Sequence, residues 1–193
     1  MMFEPNWINV ILWTIIAFIC GSLPFAVWIG RLAGVDIRTV GDGNPGATNV
    51  VRAAGIGWGM LAFCVEFSKA AVPVGITYMI FGWQGYEAVP IAIAPSLGHA
   101  FSPFLNFKGG KALATMLGAW IGTTLWIMPT ILLMMLVFMY TVIKPKRDVW
   151  SVIPPIGAGY IWLTFIDWNP VLLIILTLQL GLVLYTHRSE VTR

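Results

Sequence analysis

An all-α integral membrane protein is the fold class that this 193-residue sequence predicts, and three observations carry the prediction. Hydrophobic residues make up 59% of the chain and charged residues only 10%, with a mean hydropathy of +0.85 and ten Trp, a composition foreign to ordinary soluble domains. Apolar runs of membrane-crossing length recur from Trp7 to the end of the chain. The Lys and Arg gather in four clusters: Arg31, Arg38 and Arg52; Lys108 and Lys111; Lys144, Lys146 and Arg147; Arg188 and Arg193. Lys69 alone lies within an apolar run.

The elements follow in order. The connections near Glu4, Gly82 to Glu87, Gly122 to Thr124 and Asp167 to Pro170 carry no Lys or Arg, so every second connection is basic. The positive-inside rule makes the basic ones cytoplasmic, with the N-terminus out, the C-terminus in and an odd number of spans. About seven transmembrane helices are expected, at 7–31, 57–81, 87–105, 111–123, 125–143, 152–166 and 169–186. The fourth and sixth are short for full crossings, and five is the alternative. The first apolar run lacks a basic leader and outlasts a signal-peptide core, so it is expected to remain as a span. A single domain covers 1–193, without internal repeat or linker. Cys20 and Cys64 lie in apolar runs without metal-ligand spacing and read as packing residues.

The chemistry is expected in the basic connections. In the stretch from Gly41 to Arg52, glycines at 41, 43 and 46 permit positive φ and close approach, so backbone N–H groups can turn toward one anion. A short helix starting near Thr48 adds its N-terminal dipole and carries Arg52. Lys108-Gly109-Gly110-Lys111 repeats this union of flexible backbone and positive charge. Two such segments on one membrane face point to two phosphates, or to one held from both sides. Taken alone, each also reads as a plain glycine turn. Glu66 and Lys69, at i and i+3, read as a pair on one helix face, since isolated charges at that depth are expensive. His99 reads as a buried hydrogen-bonding residue, His187 as an interfacial anchor, and Ser151 as a helix N-cap. Nothing in these spacings holds a metal.

Gly21-Ser22-Leu23-Pro24-Phe25, Asp36-Ile37-Arg38, the Gly41 to Arg52 stretch, Gly98-His99, Phe107-Lys108-Gly109-Gly110-Lys111 and His187-Arg188 resemble, in order and spacing, the bacterial membrane glycerol-3-phosphate acyltransferases of the PlsY family. The resemblance covers nearly the whole chain. It implies a seven-span fold and transfer of a fatty acyl group from acyl phosphate to the 1-hydroxyl of glycerol 3-phosphate, yielding lysophosphatidate for phospholipid biosynthesis. It implies substrate-assisted catalysis in which Asp42, Gly43, Asn44, Gly46, Thr48 and Asn49 surround the donor phosphate. Arg52 and Lys111 bridge both substrates, and Ser151 and His187 hold glycerol 3-phosphate. His99, Lys108 and Glu190 complete the binding residues. The partners implied are acyl phosphate, glycerol 3-phosphate and membrane lipid, with no nucleic acid, no metal and no cofactor. A monomer is expected, multi-pass in the bacterial inner membrane, its active site facing the cytoplasm.

No His-x-x-x-x-Asp pair is present: Phe104 and Thr192 stand five residues after His99 and His187. An acyl phosphate is already activated, so neutralising phosphates and aligning the acceptor hydroxyl do most of what is required. Several positions depart from the family pattern. Asp42 replaces the usual Ser, Glu190 the usual Asn, and Ala70, Ala100 and Ala112 the usual Gly, Asn and Gly, while Asp148 stands where a basic residue precedes Ser151. Carboxylates near a phosphate weaken its binding unless a cation compensates. The alternatives are a divergent member with another acceptor or donor, and a non-catalytic lipid-binding membrane protein.

Overall fold

A computed structural model describes residues 4 to 188. Nine α-helices form among them: α1 (Trp7–Ser22), α2 (Phe25–Leu32), α3 (Ala47–Ala54), α4 (Ile56–Gly75), α5 (Ala88–Ala100), α6 (Leu113–Thr124), α7 (Ile127–Phe138), α8 (Val149–Phe165) and α9 (Pro170–Thr186). The described residues contain no strand.

The expectation of about seven spans is corrected to three. Among the described residues, only Trp7–Leu32, Ile56–Ile80 and Ala88–Leu105 are long and apolar enough to cross a membrane. The segments Ile127–Ile143, Val149–Phe165 and Pro170–Thr186 are apolar but shorter, and α6 has 12 residues. At a rise of about 1.5 Å per residue, helices of 12 to 17 residues fall short of a hydrocarbon core about 30 Å thick. Ala112, Leu125 and Lys144 adopt positive φ values of 62°, 52° and 51° and bound these helices close to where the sequence predicts them, so the correction concerns their reach and not their position. The orientation of the termini rested on seven alternating connections and loses that basis.

Lipid supplies no hydrophobic drive between helices, so close packing and satisfied polar groups hold this fold together. The α4 helix lies along α6, where a Cβ on Gly118 would collide with the Phe67 carbonyl oxygen and meet Ala70 Cβ at 3.2 Å. Only glycine permits that approach. The largest core joins α4 and α6 to α7, α8 and α9 through Trp120, Met128, Leu132, Ile156, Leu163 and Leu176. Trp120 Nε1 donates to buried Gln179 Oε1 at 2.6 Å, tying α6 to α9. A second cluster, Ala26, Val27, Ile37, Val50 and Ala62, pins α2 and α3 to α4 and so fixes the loop between them.

The first span is broken at Pro24, which forces Leu23 into an extended conformation and frees backbone groups inside the protein. Three side chains meet them. Lys69 Nζ donates to the Leu23 carbonyl at 3.0 Å, Ser102 Oγ donates to the Ser22 carbonyl at 2.6 Å, and Glu66 Oε1 accepts from Ala26 N–H at 2.9 Å. The expected pairing of Glu66 with Lys69 is present at 2.6 Å, and His99 Nδ1 lies 3.0 Å from Glu66 Oε2 and 2.9 Å from Lys69 Nζ. All three side chains are buried. Removing one charge from such a cluster leaves the other uncompensated, at a cost of about 3–5 kcal/mol. Glu66→Gln is therefore expected to lower stability by that amount, read as a fall in the detergent melting temperature that Asp36→Asn, on the exposed surface, does not reproduce.

Candidate active site

The loop after α2 begins at Asp36, whose carboxylate accepts from the Arg38 backbone N–H and guanidinium; those bonds hold its pKa down to about 2. Gly41 and Gly43 take the positive φ values expected, 60° and 72°, whereas Gly46 is extended and serves as N-cap of α3. A Cβ on Gly41 would lie 2.6 Å from Asn49 Oδ1 and crowd Arg52, so the missing side chain lets both fold back over the loop. Asn49, buried in the first turn of α3, then organises the turn: its Nδ2 donates to Asp42 Oδ1 and to the Asn44 carbonyl, both at 2.9 Å, and its Oδ1 accepts from Arg52 Nη1 at 3.0 Å.

The second basic segment arrives from α5. Gly110 N–H donates to the His99 carbonyl at 3.2 Å and Gly109 N–H to that of Ala100 at 3.1 Å, so the glycine pair is laid against the end of α5. Lys111 N–H then donates to Asn44 Oδ1 at 3.1 Å, joining the two segments across 67 positions of sequence. Lys111 Nζ is held between two carboxylates, Asp42 Oδ2 at 3.1 Å and Asp148 Oδ2 at 3.0 Å. Asp148 stands immediately before α8, so this lysine links the loop, the start of α6 and the start of α8.

These segments enclose a cavity of about 380 Å³ with two unlike ends. Asp42, Thr48, Arg52, Lys111 and Asp148 form one end, and Phe63, Leu117, Leu133, Leu136 and Tyr140 form the other. Of the residues singled out in the sequence, Asp42, Asn44, Gly46, Thr48, Arg52, His99, Lys111 and His187 all line it. With Arg188, Gly43 and Lys108 line an adjoining cavity of about 450 Å³, which shares Asp42, Asn44 and Lys111 with the first. Asn49 supports the loop from beneath. Ser151 is wholly buried in the first turn of α8 and is absent from the cavity wall; its Oγ has no partner among the described residues, so it is no N-cap. His187 is likewise wholly buried, at the C-cap of α9 with Nδ1 2.9 Å from the Val183 carbonyl, and the interfacial-anchor reading is corrected accordingly. Glu190 lies outside the described residues. Glu66, Thr115 and Asp148 were not picked as site residues and line the wall too. Asp148 left a sequence signal as a carboxylate in a basic cluster and Glu66 as a charge inside an apolar run, whereas Thr115 left none.

Partial burial raises the Asp42 pKa, but the Asn44 N–H, Lys111 and Asn49 outweigh it and leave the carboxyl below its ordinary 3.8. A depressed carboxylate contributes stability that is fully present above the unfolded value and is lost as pH falls through the folded one. The melting temperature of wild type is therefore expected to exceed that of Asp42→Asn by a constant margin from pH 5 to 8. That margin should begin to shrink near pH 4 and be lost only as pH falls further, through the lowered folded value.

Residues 11–193 match the family model described as glycerol-3-phosphate acyltransferase. The glycerol-3-phosphate acyltransferase of Aquifex aeolicus is 35% identical over 182 residues, covering 93% of this chain and 92% of that protein. That of Endomicrobium trichonymphae is 34% identical over 187 residues, covering 95% and 90%. Among solved structures, the integral membrane glycerol 3-phosphate acyltransferase PlsY in its glycerol 3-phosphate form superposes with a TM-score of 0.85 at 29% identity, covering 96% of this chain and 91% of that one. Its lysophosphatidic acid form gives 0.84 at 28%. A loop built to present Arg52 and Lys111 to one cavity, in a chain matched along nearly its whole length, places this protein in the glycerol-3-phosphate acyltransferase family of integral membrane proteins.

Proposed function

We propose that this chain transfers a fatty acyl group from acyl phosphate to the 1-hydroxyl of glycerol 3-phosphate, releasing lysophosphatidate and inorganic phosphate. The observation that carries the reading is the two-ended cavity: guanidinium and ammonium groups at one end suit phosphates, and the apolar wall between α4, α6 and α7 suits an acyl chain. The donor is a mixed anhydride with a good leaving group. Fixed positive charge beside its phosphate and an aligned acceptor hydroxyl then account for catalysis, through positioning and electrostatic stabilisation. A phosphate oxygen of the donor takes the hydroxyl proton, so no side-chain base is required. Arg52 and Lys111 neutralise the phosphates, the loop from Asp42 to Asn49 cradles the donor, and His187 lines the acceptor side. Ser151, behind that wall, acts by positioning.

The reading takes the protein to act as a monomer. Three of the four basic clusters contribute Arg52, Lys108 with Lys111, and Arg188 to the two adjoining cavities. This convergence supports a cytoplasmic active site by the positive-inside rule.

The test is purified protein with palmitoyl phosphate and glycerol 3-phosphate, read by mass spectrometry for lysophosphatidate, beside a reaction containing palmitoyl coenzyme A. Product from the acyl phosphate is expected, and Arg52→Ala and Lys111→Ala are each expected to lower turnover about 100-fold in protein that remains folded, Lys111→Ala with a melting temperature lowered by no more than that of Asp42→Asn with Asp148→Asn. Folded wild-type protein yielding no product from acyl phosphate would overturn the reading.

Asp42 and Asp148 occupy the ammonium that a substrate phosphate needs. Asp42→Ser and Asp148→Asn are each expected to lower KM for glycerol 3-phosphate several-fold at similar kcat. An unchanged KM in both means that the carboxylates leave Lys111 without cost when substrate binds.

A further inference from the structure

The first turn of α6 presents unused hydrogen-bond donors at the place where the charged end of the cavity meets its apolar end. Ala112, the N-cap, provides no side-chain cap, and the first helical bond runs from Met116 N–H to the Ala112 carbonyl at 2.8 Å. The N–H groups of Leu113, Ala114 and Thr115 therefore have no acceptor within the helix, and all three residues line the cavity. Thr115 adds an independent sign of an absent ligand. It is wholly buried, yet its Oγ1 has no hydrogen-bond partner among the described residues, not even the carbonyl one turn back that helical threonines commonly use. A buried hydroxyl left unsatisfied is costly, and such groups persist where a ligand completes them.

The order along the chain gives the position a meaning. Lys111 belongs to the phosphate end, and Leu117, six residues on, to the acyl end. The carbonyl of an acyl phosphate is the atom group that joins phosphate to acyl chain, so a donor lying along this cavity brings its carbonyl beside the turn between those two residues. That turn also carries the positive end of the helix dipole of a 12-residue helix.

We infer that the first turn of α6, with Thr115 Oγ1 and the neighbouring backbone N–H groups, is the oxyanion site of the acyl transfer proposed above, on which this inference rests. In the first step the acceptor hydroxyl oxygen bonds to the carbonyl carbon, its proton passes to a donor phosphate oxygen, and the carbonyl π pair moves onto oxygen. Thr115 Oγ1–H and the helix N–H groups donate to that oxyanion. In the second step the pair returns to re-form C=O, the bond between carbon and the bridging phosphate oxygen breaks, and inorganic phosphate leaves with those electrons. Donors aimed at charge that exists only in transit raise kcat and leave substrate affinity nearly unchanged.

The experiment compares wild type, Thr115→Ser, Thr115→Val and Thr115→Ala by steady-state kinetics with palmitoyl phosphate and glycerol 3-phosphate, each with its melting temperature. Serine keeps the hydroxyl and is expected within about threefold of wild type, while valine and alanine lose about 100-fold in kcat with both KM values within twofold. Should valine fail to fold, the ratio of serine to alanine decides alone. Equal kcat in serine and alanine variants, or a loss that appears in KM alone, overturns the oxyanion assignment while wild-type turnover upholds the acyl transfer. Absence of product from folded wild type overturns both.

Discussion

The buried cluster of Glu66, Lys69 and His99 at the Pro24 break is the interaction on which the other features depend. A proline break inside an apolar bundle leaves carbonyl and N–H groups that lipid cannot satisfy, and protein partners must replace the lost helical bonds. Lys69 and Glu66 do so from α4, and His99 closes the cluster from α5. The same histidine's carbonyl receives Gly110 N–H, and the next residue, Lys111, reaches Asn44. A structural repair in the first span is thus connected, through one side chain and one backbone bond, to the residue that carries the positive charge of the site. The cluster thereby sets where the two glycine-rich basic segments meet, and Glu66 and His99 also line the cavity between them.

Those segments are preorganised by a small set of bonds. Asn49 and Asn44 spend their amides on the loop and on Lys111, leaving Arg52 and Lys111 to face the cavity with fixed backbones. The two aspartates on Lys111 alter its environment without removing its charge. Because Asp42 and Asp148 arrive from different elements, they also tie α8 to the loop. The carboxylates that look incompatible with phosphate in the sequence therefore have a partner in the fold. Ala112 makes a related point: it adopts φ of 62°, where glycine is the residue without steric penalty, and the family pattern has glycine at this place.

Much of the site was legible in the linear sequence because the residue types are conspicuous against an apolar background. Gly41 and Gly43 announced positive φ, the helix expected near Thr48 is α3, and Glu66 with Lys69 announced a pair. The number of spans was misread for a physical reason. Hydropathy placed the segments close to where they lie, but it averages over side chains and is a poor gauge of reach, so apolar helices of 12 to 17 residues passed for crossings that their length does not support. Thr115 escaped notice because a threonine inside an apolar helix carries no pattern; what distinguishes it is the lack of a partner, which is a property of the surroundings.

Composition and charge placement by themselves determined that this chain is a helical membrane protein and that its ionisable residues concentrate in a few connections, two of them rich in glycine and positive charge. These properties follow from transfer energies and backbone permissiveness, which each residue brings with it. Tertiary structure alone decided that Lys111 stands between Asp42 and Asp148, that Ser151 is walled off from the cavity while His187 lines it, and that His99 joins a buried ion pair on another helix. Each is a distance between residues remote in sequence, and only the close approach of small residues such as Gly118, together with the satisfaction of the break at Pro24, determines such distances.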